Sequence, residues 1–335
     1  MDIATKEITI NNPDKPFKDY DELINILRKR NIIISDENFA KQCLSDISYY
    51  TLINGYKEIF TSNNDVFNPP VIFEDIYLLY MFENTLSSIL LKYIIHIEKS
   101  LKSKLSYIIS KKYGVFTDIY DVTNTNKKDY LYRDNFQNNK YRNNTLRNIK
   151  ECIPGNKNQS IQYYIANHNH LPCWILINGI YFGQAILLYK SLKSEDKKIV
   201  CDQLINCCAL TLEEKTSFLS SALDILREYR NSIAHGQKLF NRVISSYISR
   251  KIAIQISNTL VTKSAYKKGF CKNDLFAVIM IIFTLTRGLQ RKNFAQELIS
   301  FLESIKDYSF GNKTVFEVFG LPNNFIEILE NKITN

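Results

Sequence analysis

The sequence lacks the short motifs that identify several common classes of protein. It contains no P-loop, no dinucleotide-binding glycine fingerprint and no CxxC pair. Its seven cysteines are an odd number, which fits reduced thiols in a cytosol better than a set of disulfides. Residues Met1–Ile10 contain no apolar stretch of signal-peptide length. We therefore expect a cytoplasmic protein with reduced cysteines.

The chain also lacks an apolar run long enough to cross a bilayer. Its longest run is Leu275–Leu285, which only Thr284 interrupts. A membrane-spanning helix needs about 20 apolar residues. The run therefore predicts a buried helix, and we expect no membrane partner.

Strand patterns and internal repeats are missing as well. Apolar residues instead recur every three or four positions, and neither Pro nor Gly interrupts residues 71–113. This stretch predicts a helix of roughly 40 residues, about 60 Å long, either straight or kinked. The expected fold is an all-α helical bundle with an N-terminal helical unit at 1–68, a core at 69–260 that carries a basic insertion near 117–160, and a C-terminal helical extension at 261–335.

Capping signals predict where several helices begin and end. Asp19 and Glu22 have the spacing of a capping box, and Asp36 precedes a second apolar stripe. Gly114 is a plausible end of the long helix. Periodicity predicts further helices at 195–206, 211–235, 237–260, 273–286, 289–306 and 323–332.

The charge balance is moderately basic. Lysine and arginine number 43 against 34 acidic residues, a net charge of +9, which is compatible with a nucleic-acid partner. Residues 124–150 hold seven cations and two carboxylates, or +5, interleaved with aromatic residues that include Tyr130 and Phe136. Such a segment is typical of single-stranded RNA binding, although a solvated insertion has the same pattern. The candidate RNA-binding residues here are Lys128, Arg133, Lys140, Tyr141, Arg142 and Arg147.

A candidate catalytic group lies at the end of the helix predicted over 211–235. Arg230 falls on the apolar stripe of this helix, four residues after Leu226 and three before Ile233. Asn231 and His235 are four residues apart and share a face. Gly236 provides a helix stop. The pattern places a strong cation at the margin of the packed face, beside a histidine and an amide at the helix end.

The segment from Leu226 to His235, followed by Gly236 to Arg242, resembles a motif of the AbiD/AbiF-type abortive-infection proteins in the HEPN superfamily. Residues Arg230–His235 have the R-N-x-x-x-H form of the family's R-x4-6-H motif. Gly236 stands where the family has a second histidine, and Lys238 stands where it has an arginine. Lys238 and Arg242 are added to the candidate RNA-binding residues.

The resemblance extends over most of residues 15–245. Tyr49–Tyr56 resembles the family's YYRLSGY block, and Ile97–Glu98 resembles its IE helix. Trp174 together with Tyr181–Gly183 resembles its W…SFG helix. The last 80 or so residues match no motif of the family.

The resemblance implies a HEPN-type helical bundle and a metal-independent endoribonuclease that acts as a toxin in antiviral defence. Arg230, Asn231 and His235 would be catalytic, with Glu98 as a polar partner that orients them. Two copies of the motif would meet in a homodimer. The implied partners are RNA substrate and a structured non-coding RNA, and the implied reaction uses no cofactor or metal.

Each of these interpretations has a simpler alternative. His235 could only cap a helix, Arg230 could be an ordinary helix residue, and Glu98 could pair with Lys102 at i,i+4 spacing. The whole chain could be a non-catalytic, antitoxin-like module that binds a structured non-coding RNA, or a protein that senses a phage component.

Two further features favour structural readings. His168, His170 and Cys173 lack the fourth ligand and the spacing of a metal site, and are better read as a loop before a helix that begins near Pro172. Trp174 is interpreted as a core anchor rather than as a base-stacking platform.

Overall fold

The computed structural model describes residues 15–60, 65–205, 210–239, 244–257 and 261–334. Helices dominate these residues, and the strands are four two-residue pieces. The all-α prediction is therefore confirmed. No helix in the described residues combines the length and the apolar character needed to cross a membrane.

The first half of the chain begins with short elements and continues into one long helix. A π-helical segment, Tyr50–Asn54, leads directly into the third helix. In chain order the elements are α1 (Tyr20–Lys29), β1 (Ile32–Ile33), α2 (Glu37–Ile47), α3 (Gly55–Phe60), β2 (Val71–Ile72), α4 (Phe73–Tyr113), α5 (Arg142–Glu151), α6 (Gln159–Asn167), α7 (Cys173–Leu176) and α8 (Phe182–Ser191).

The second half continues with helices and one strand pair. Two 3-10 turns occur before these helices: Arg133–Asn135 between α4 and α5, and Ile177–Gly179 between α7 and α8. The remaining elements are α9 (Ser194–Leu204), α10 (Leu212–Ala234), α11 (Arg250–Ile256), α12 (Lys263–Lys267), α13 (Leu275–Leu285), α14 (Gly288–Ile305), β3 (Ser309–Phe310), β4 (Lys313–Thr314), α15 (Val315–Phe319) and α16 (Phe325–Thr334).

The chain divides into two compact units, one formed by residues 1–84 and 305–318 and the other by residues 85–304 and 319–335. In the first unit β1 pairs with β2 in parallel and β3 pairs with β4 antiparallel. The hydroxyl of Tyr56 donates a buried hydrogen bond to the carboxylate of Glu83. The domain boundaries predicted near residues 68 and 260 come from sequence motifs rather than from contacts, and they stay a prediction.

Local capping chemistry sets the predicted helix starts. The Asp19 carboxylate accepts from the backbone N–H of Glu22 at 2.8 Å, and the Glu22 carboxylate accepts from the N–H of Asp19 at 3.1 Å. Asp36 accepts from the N–H of Phe39 at 3.0 Å. These side chains satisfy N–H groups that have no partner inside the helix. The predicted starts of α1 and α2 are thus confirmed.

Helix α4 is continuous over 41 residues and ends before Gly114, whose φ of +82° favours glycine. In the second unit its apolar face is buried, with Ile94, Ile97, Leu101 and Leu105 fully inaccessible to solvent. The long helix predicted from residues 71–113 is confirmed, and it continues without a break.

The core of the second unit includes a helix that is apolar on every side. All residues of α13 are buried, as the run Leu275–Leu285 predicts. Phe283 of α13 packs against Phe294 of α14 with ring centroids 4.9 Å apart, and Phe294 packs against Tyr93 of α4 at 4.7 Å. Three helices therefore meet in one aromatic cluster.

A buried ion pair organises the segment predicted as a basic insertion. Lys150 and Asp129 are both completely buried and contact each other directly. Lys150 also donates to the carbonyls of Asp118 at 2.8 Å and Asp121 at 3.0 Å. The Asp129 carboxylate accepts from the hydroxyl of Thr117 at 3.0 Å. A large part of this segment is therefore folded around one internal charge pair.

One predicted helix is wrong over most of its described length. Of the helix predicted at 237–260, the described residues form only α11, Arg250–Ile256, while 244–249 are not helical. Backbone groups of this stretch bond to a distant segment instead of to a helix: the N–H of Ile248 donates to the Lys272 carbonyl at 2.8 Å, and the Ile244 carbonyl accepts from Asn273 Nδ2 at 2.7 Å. Residues 240–243 and 258–260 of that prediction lie outside the described residues.

Replacing Lys150 with Met should strongly destabilise the chain, because the Asp129 carboxylate would stay buried without its counter-charge. The expected loss is about 3–5 kcal/mol of the free energy of unfolding, measured by urea denaturation. Lys140→Met is the matched control, since Lys140 is an exposed cation on the same segment, and it should change stability by less than about 0.5 kcal/mol. Equal midpoints for the two variants would contradict the structural role of the pair.

The N-cap of α13 should make stability depend on pH. Burial raises the pKa of the Asp274 carboxyl to about 6, although the N–H groups of Ala277 and Cys271 donate to it. A pKa raised in the folded state means that the stability contribution is full below about pH 4 and is lost as pH rises through 6. Asp274→Asn should remove this change between pH 4 and 7 in urea denaturation. An unchanged pH profile would show that this carboxyl titrates normally.

Candidate functional site

The helix that carries the predicted catalytic residues is capped at both ends. Thr211 and Glu214 form a capping box at the start of α10. At its end the N–H of Gly236 donates to the carbonyl of Ile233 at 3.0 Å, and the N–H of Gln237 donates to that of Ser232 at 2.8 Å. This pair of bonds is a Schellman motif, which needs a left-handed residue, and Gly236 has φ +63°. The helix therefore stops at His235.

The Arg230 side chain lines a cleft of about 440 Å³ in the second unit. Three elements form its walls: the polar side of α4, the short helix α7 with the 3-10 turn that follows it, and α10. The cleft is lined by Ile95, Glu98, Lys99, Lys102, Ser103, Ser106, Trp174, Ile177, Asn178 and Arg230.

The guanidinium of Arg230 is partly buried and is held by an amide rather than by a carboxylate. Its Nη1 donates to Oδ1 of the adjacent Asn231 at 3.3 Å. Among the described residues, no carboxylate oxygen lies within 4.0 Å of this guanidinium. A charged fork with remaining donors in a cleft can bind a phosphate or a carboxylate on two oxygens.

Glu98 and Lys102 form an ion pair in the same cleft. Their charged atoms are 2.8 Å apart, and only 12% of the Glu98 side chain and 13% of the Lys102 side chain are exposed. Lys102 Nζ also donates to the carbonyl of Ile180 at 2.7 Å. The i,i+4 pair weighed for Glu98 is present, and Glu98 also lies in the cleft that Arg230 lines. Its role in orienting a catalytic group stays a prediction.

Trp174 lies in the cleft wall, with 46% of its surface exposed. The interpretation of Trp174 as a core anchor is wrong, because Cys173, Leu176 and Ile177 bury the opposite side of this turn instead. Asn178, one turn after Trp174, is also exposed, and its Nδ2 donates to the Trp174 carbonyl at 3.0 Å. We call Trp174 and Asn178 together the tryptophan ledge.

His235 and Asn231 are exposed at the end of α10. The backbone N–H of His235 donates to the carbonyl of Asn231 at 3.0 Å, while the His235 side chain is not part of the cleft lining. The structure thus brings Arg230 and Glu98 to one cleft, whereas His235 is exposed at the end of α10 and does not line that cleft.

The candidate RNA-binding residues of the basic segment differ in their exposure. Lys128, Arg133 and Lys140 are exposed, whereas only 11% of the Arg142 side chain is, and its Nη1 lies 3.6 Å from an Asp134 oxygen. Arg147 pairs with Glu151 at 3.7 Å.

The aromatic residues of the same segment are mostly structural. Tyr130 and Phe136 are buried, so their rings are unavailable for stacking on RNA. Tyr141 is partly buried, with Lys140 and Lys190 above its ring at 5.2 and 5.7 Å from the centroid. Of the two candidates after α10, Lys238 is partly buried and Arg242 lies outside the described residues.

The histidines before α7 belong to a loop, as predicted. His168 and His170 lie between α6 and α7, and their rings are 6.3 Å apart. Complete burial raises the pKa of the Cys173 thiol to about 12. In the part of the chain that the structure describes, no three His, Cys, Asp or Glu residues cluster as a metal-binding group.

Sequence reasoning identified Glu98 and Lys102 but missed the rest of the polar face of α4 and the tryptophan ledge. Residues 95, 98, 99, 102, 103 and 106 recur at helical spacing, and Trp174 and Asn178 are four residues apart. These spacings were visible in the sequence. What they could not reveal is that the two faces lie on the same cleft as Arg230.

The comparison with protein families identifies the chain. A family model described as Abi-like protein matches residues 42–241, which is more than half of the chain. The chain belongs to the Abi-like protein family, an abortive-infection family, and the resemblance to abortive-infection proteins is confirmed. Searches of curated proteins and of solved structures found no match.

Gly179→Ala should disturb the tryptophan ledge. A Cβ at Gly179 would lie 2.2 Å from Ile161 Cδ1 and 2.7 Å from Asn156 Nδ2. Ile161 is fully buried and Asn156 donates to the Gly179 carbonyl at 3.0 Å, so neither side chain can move without loss of packing or of that hydrogen bond. We expect a loss of about 1–3 kcal/mol and a lower thermal midpoint.

Gly155→Ala is the matched control for Gly179→Ala. Nothing lies within 4 Å of a Cβ at Gly155, so this variant should unfold near the wild-type temperature. If the two variants have the same midpoint, tight packing behind the ledge is not a requirement of the fold.

Proposed function

We propose that this Abi-like protein is a metal-independent HEPN-type endoribonuclease, a toxin that acts in phage defence by cutting RNA. The observation that carries the proposal is that the guanidinium of Arg230 has no carboxylate partner in the part of the chain that the structure describes. This residue lies in a cationic cleft, and no carboxylate among the described residues neutralises it. An exposed histidine, His235, ends the same helix.

The chemistry follows from these two groups. The ribose 2′-oxygen attacks the adjacent phosphorus, and the bond from phosphorus to the 5′-oxygen of the next nucleotide breaks. The products are a 2′,3′-cyclic phosphate and a 5′-hydroxyl. Arg230 stabilises the negative charge that builds up on the non-bridging phosphate oxygens. DNA lacks the 2′-hydroxyl and should not be cut.

His235 transfers the protons in this proposal, since histidine is the side chain that most often acts as a general acid or base. One proton leaves the 2′-hydroxyl and one must reach the departing 5′-oxygen, so a concerted step needs a base and an acid. A single chain offers one His235. We therefore propose that a homodimer places His235 of each copy at a shared site.

Asn231 and Glu98 act as positioning residues in this proposal. The Asn231 amide holds Nη1 of Arg230 at 3.3 Å and leaves the other guanidinium nitrogens for phosphate. Glu98 fixes the ammonium of Lys102 at 2.8 Å, on the wall of the cleft. The paired charges cancel, so the net positive charge of the cleft comes from Arg230 and Lys99.

A second candidate is a non-catalytic, antitoxin-like module that binds a structured non-coding RNA. The exposed cations Lys128, Arg133 and Lys140 favour it, because phosphate contacts of this kind dominate RNA affinity. For this function the basic segment would matter more than Arg230 and His235.

The test is an RNA cleavage assay in EDTA with wild type, His235→Ala and Arg230→Ala. We expect wild type to leave cyclic-phosphate ends and His235→Ala to be slower by about 10²–10⁴-fold. Arg230→Ala should lose about 10²–10³-fold, the usual effect of removing a donor to a transition-state charge. His170→Ala is the control, because His170 lies in the loop before α7 and outside the cleft.

Two outcomes would reject the endonuclease. One is equal cleavage by wild type and His235→Ala. The other is a wild-type chain that carries RNA without cutting it and loses that RNA when Lys128, Arg133 and Lys140 are replaced together by Ala. The second outcome would support the binding module.

A further inference from the structure

The tryptophan ledge puts a large aromatic surface inside a positively charged cleft. Trp174 is almost half exposed, and Lys99, Lys102 and Arg230 line the same cleft. Exposing an indole ring to water forgoes a substantial hydrophobic gain. The arrangement therefore fits a ligand that has both a flat apolar part and a negative charge.

The charge of the cleft favours an anion. Its lining contains three cations and one carboxylate, and that carboxylate, Glu98, already pairs with Lys102. Lys99 is exposed at the rim, and Arg230 has guanidinium donors to spare. The charges of Lys99 and Arg230 are therefore available to bind an anionic ligand.

Buried side chains and close packing on the core side of α7 hold the tryptophan ledge in position. Helix α7 has only four residues, and its Cys173 and Leu176 side chains anchor it in the core. The close packing at Gly179 fixes the next turn. Trp174 and Asn178 are consequently presented together on the cleft side.

Asn178 adds a hydrogen-bonding edge beside the ring. Its Nδ2 is occupied by the Trp174 carbonyl at 3.0 Å. Among the described residues, its Oδ1 accepts no hydrogen bond, so this oxygen is available to a donor on a ligand. Nucleobases carry such donors on the edges of their rings.

We propose that the tryptophan ledge is a nucleobase subsite for unpaired RNA. The base of one nucleotide stacks on Trp174 and donates to Asn178 Oδ1, while its phosphate meets Arg230 and Lys99. This inference rests on the proposed function in so far as the bound phosphate is the one that is cut.

The subsite implies that the substrate is single-stranded where it enters the cleft. A base inside a duplex is already stacked on both faces and paired on its edge, so it has no surface left for Trp174. Stacking on an aromatic side chain also tolerates different bases. Trp174 therefore selects the unpaired state more strongly than it selects a sequence.

The chain offers a direct probe of the ledge, because Trp174 is its only tryptophan. The full-length protein is titrated with a single-stranded 2′-O-methyl RNA of about eight nucleotides, which cannot be cleaved because the attacking hydroxyl is blocked. We expect saturable quenching of the tryptophan emission. The same strand annealed to its complement should quench much less.

Affinity is measured independently with the same RNA carrying a fluorescent label. Trp174→Ala should raise the Kd by about 5- to 100-fold, the usual effect of losing one stacked base, and Trp174→Phe should restore most of the affinity. Tyr247→Ala is the matched control, because Tyr247 is 54% exposed but does not line this cleft. Equal thermal midpoints would show that all four proteins are folded.

The subsite is rejected if wild-type emission does not change on saturation with RNA, or if Trp174→Ala binds as tightly as Tyr247→Ala. It is also rejected if duplex and single strand quench equally. The ribonuclease proposal fails separately. If RNA quenches the emission and the Kd depends on Trp174, but no RNA is cleaved, the subsite is supported and the enzyme is rejected. Cleavage that Trp174→Ala leaves unchanged would keep the enzyme and remove the subsite.

Discussion

The buried face of α4 is the constraint on which the cleft depends. Its fully buried residues, Ile97 and Leu101 among them, fix the rotation of the helix about its axis. Glu98 and Lys102 each follow one of these residues by one position, so burial of the apolar pair brings both polar groups to the margin of the core. Partial burial then strengthens their ion pair relative to one in open solvent. Packing in the second unit therefore sets the electrostatics of the site.

Much of this organisation was predictable because it is local in the sequence. The capping residues Asp19 and Asp36 lie next to the N–H groups that they satisfy, so short patterns identify them. The apolar run of α13 likewise needs no distant partner to be recognised as buried. Arg230 was predicted at the edge of a packed face from its spacing to Leu226 and Ile233, and the cleft lining is consistent with that position.

Other features could not be predicted because they depend on residues that are far apart in the chain. The local charge count of residues 124–150 treats Lys150 as a surface cation, but its ammonium is buried against Asp129, 21 positions earlier. The same limitation applies to Trp174. A large aromatic residue is usually buried, and only the approach of α4 and α10 to the same turn explains why this one lines a polar cleft. The two-residue strands are too short to give any periodic signal.

The positions of Arg230 and His235 on one helix bear on the proposal that two chains share the site. An α-helix has 3.6 residues per turn and rises 1.5 Å per residue, so five positions correspond to roughly 140° around the axis and about 7.5 Å along it. The two side chains therefore leave α10 in different directions, one toward the cleft and the other toward its exposed end. Proton transfer requires contact at hydrogen-bond distance. In the proposed reaction, a phosphate held by Arg230 is therefore met most directly by the His235 of a second copy, which is the geometric reason that the proposal includes a dimer.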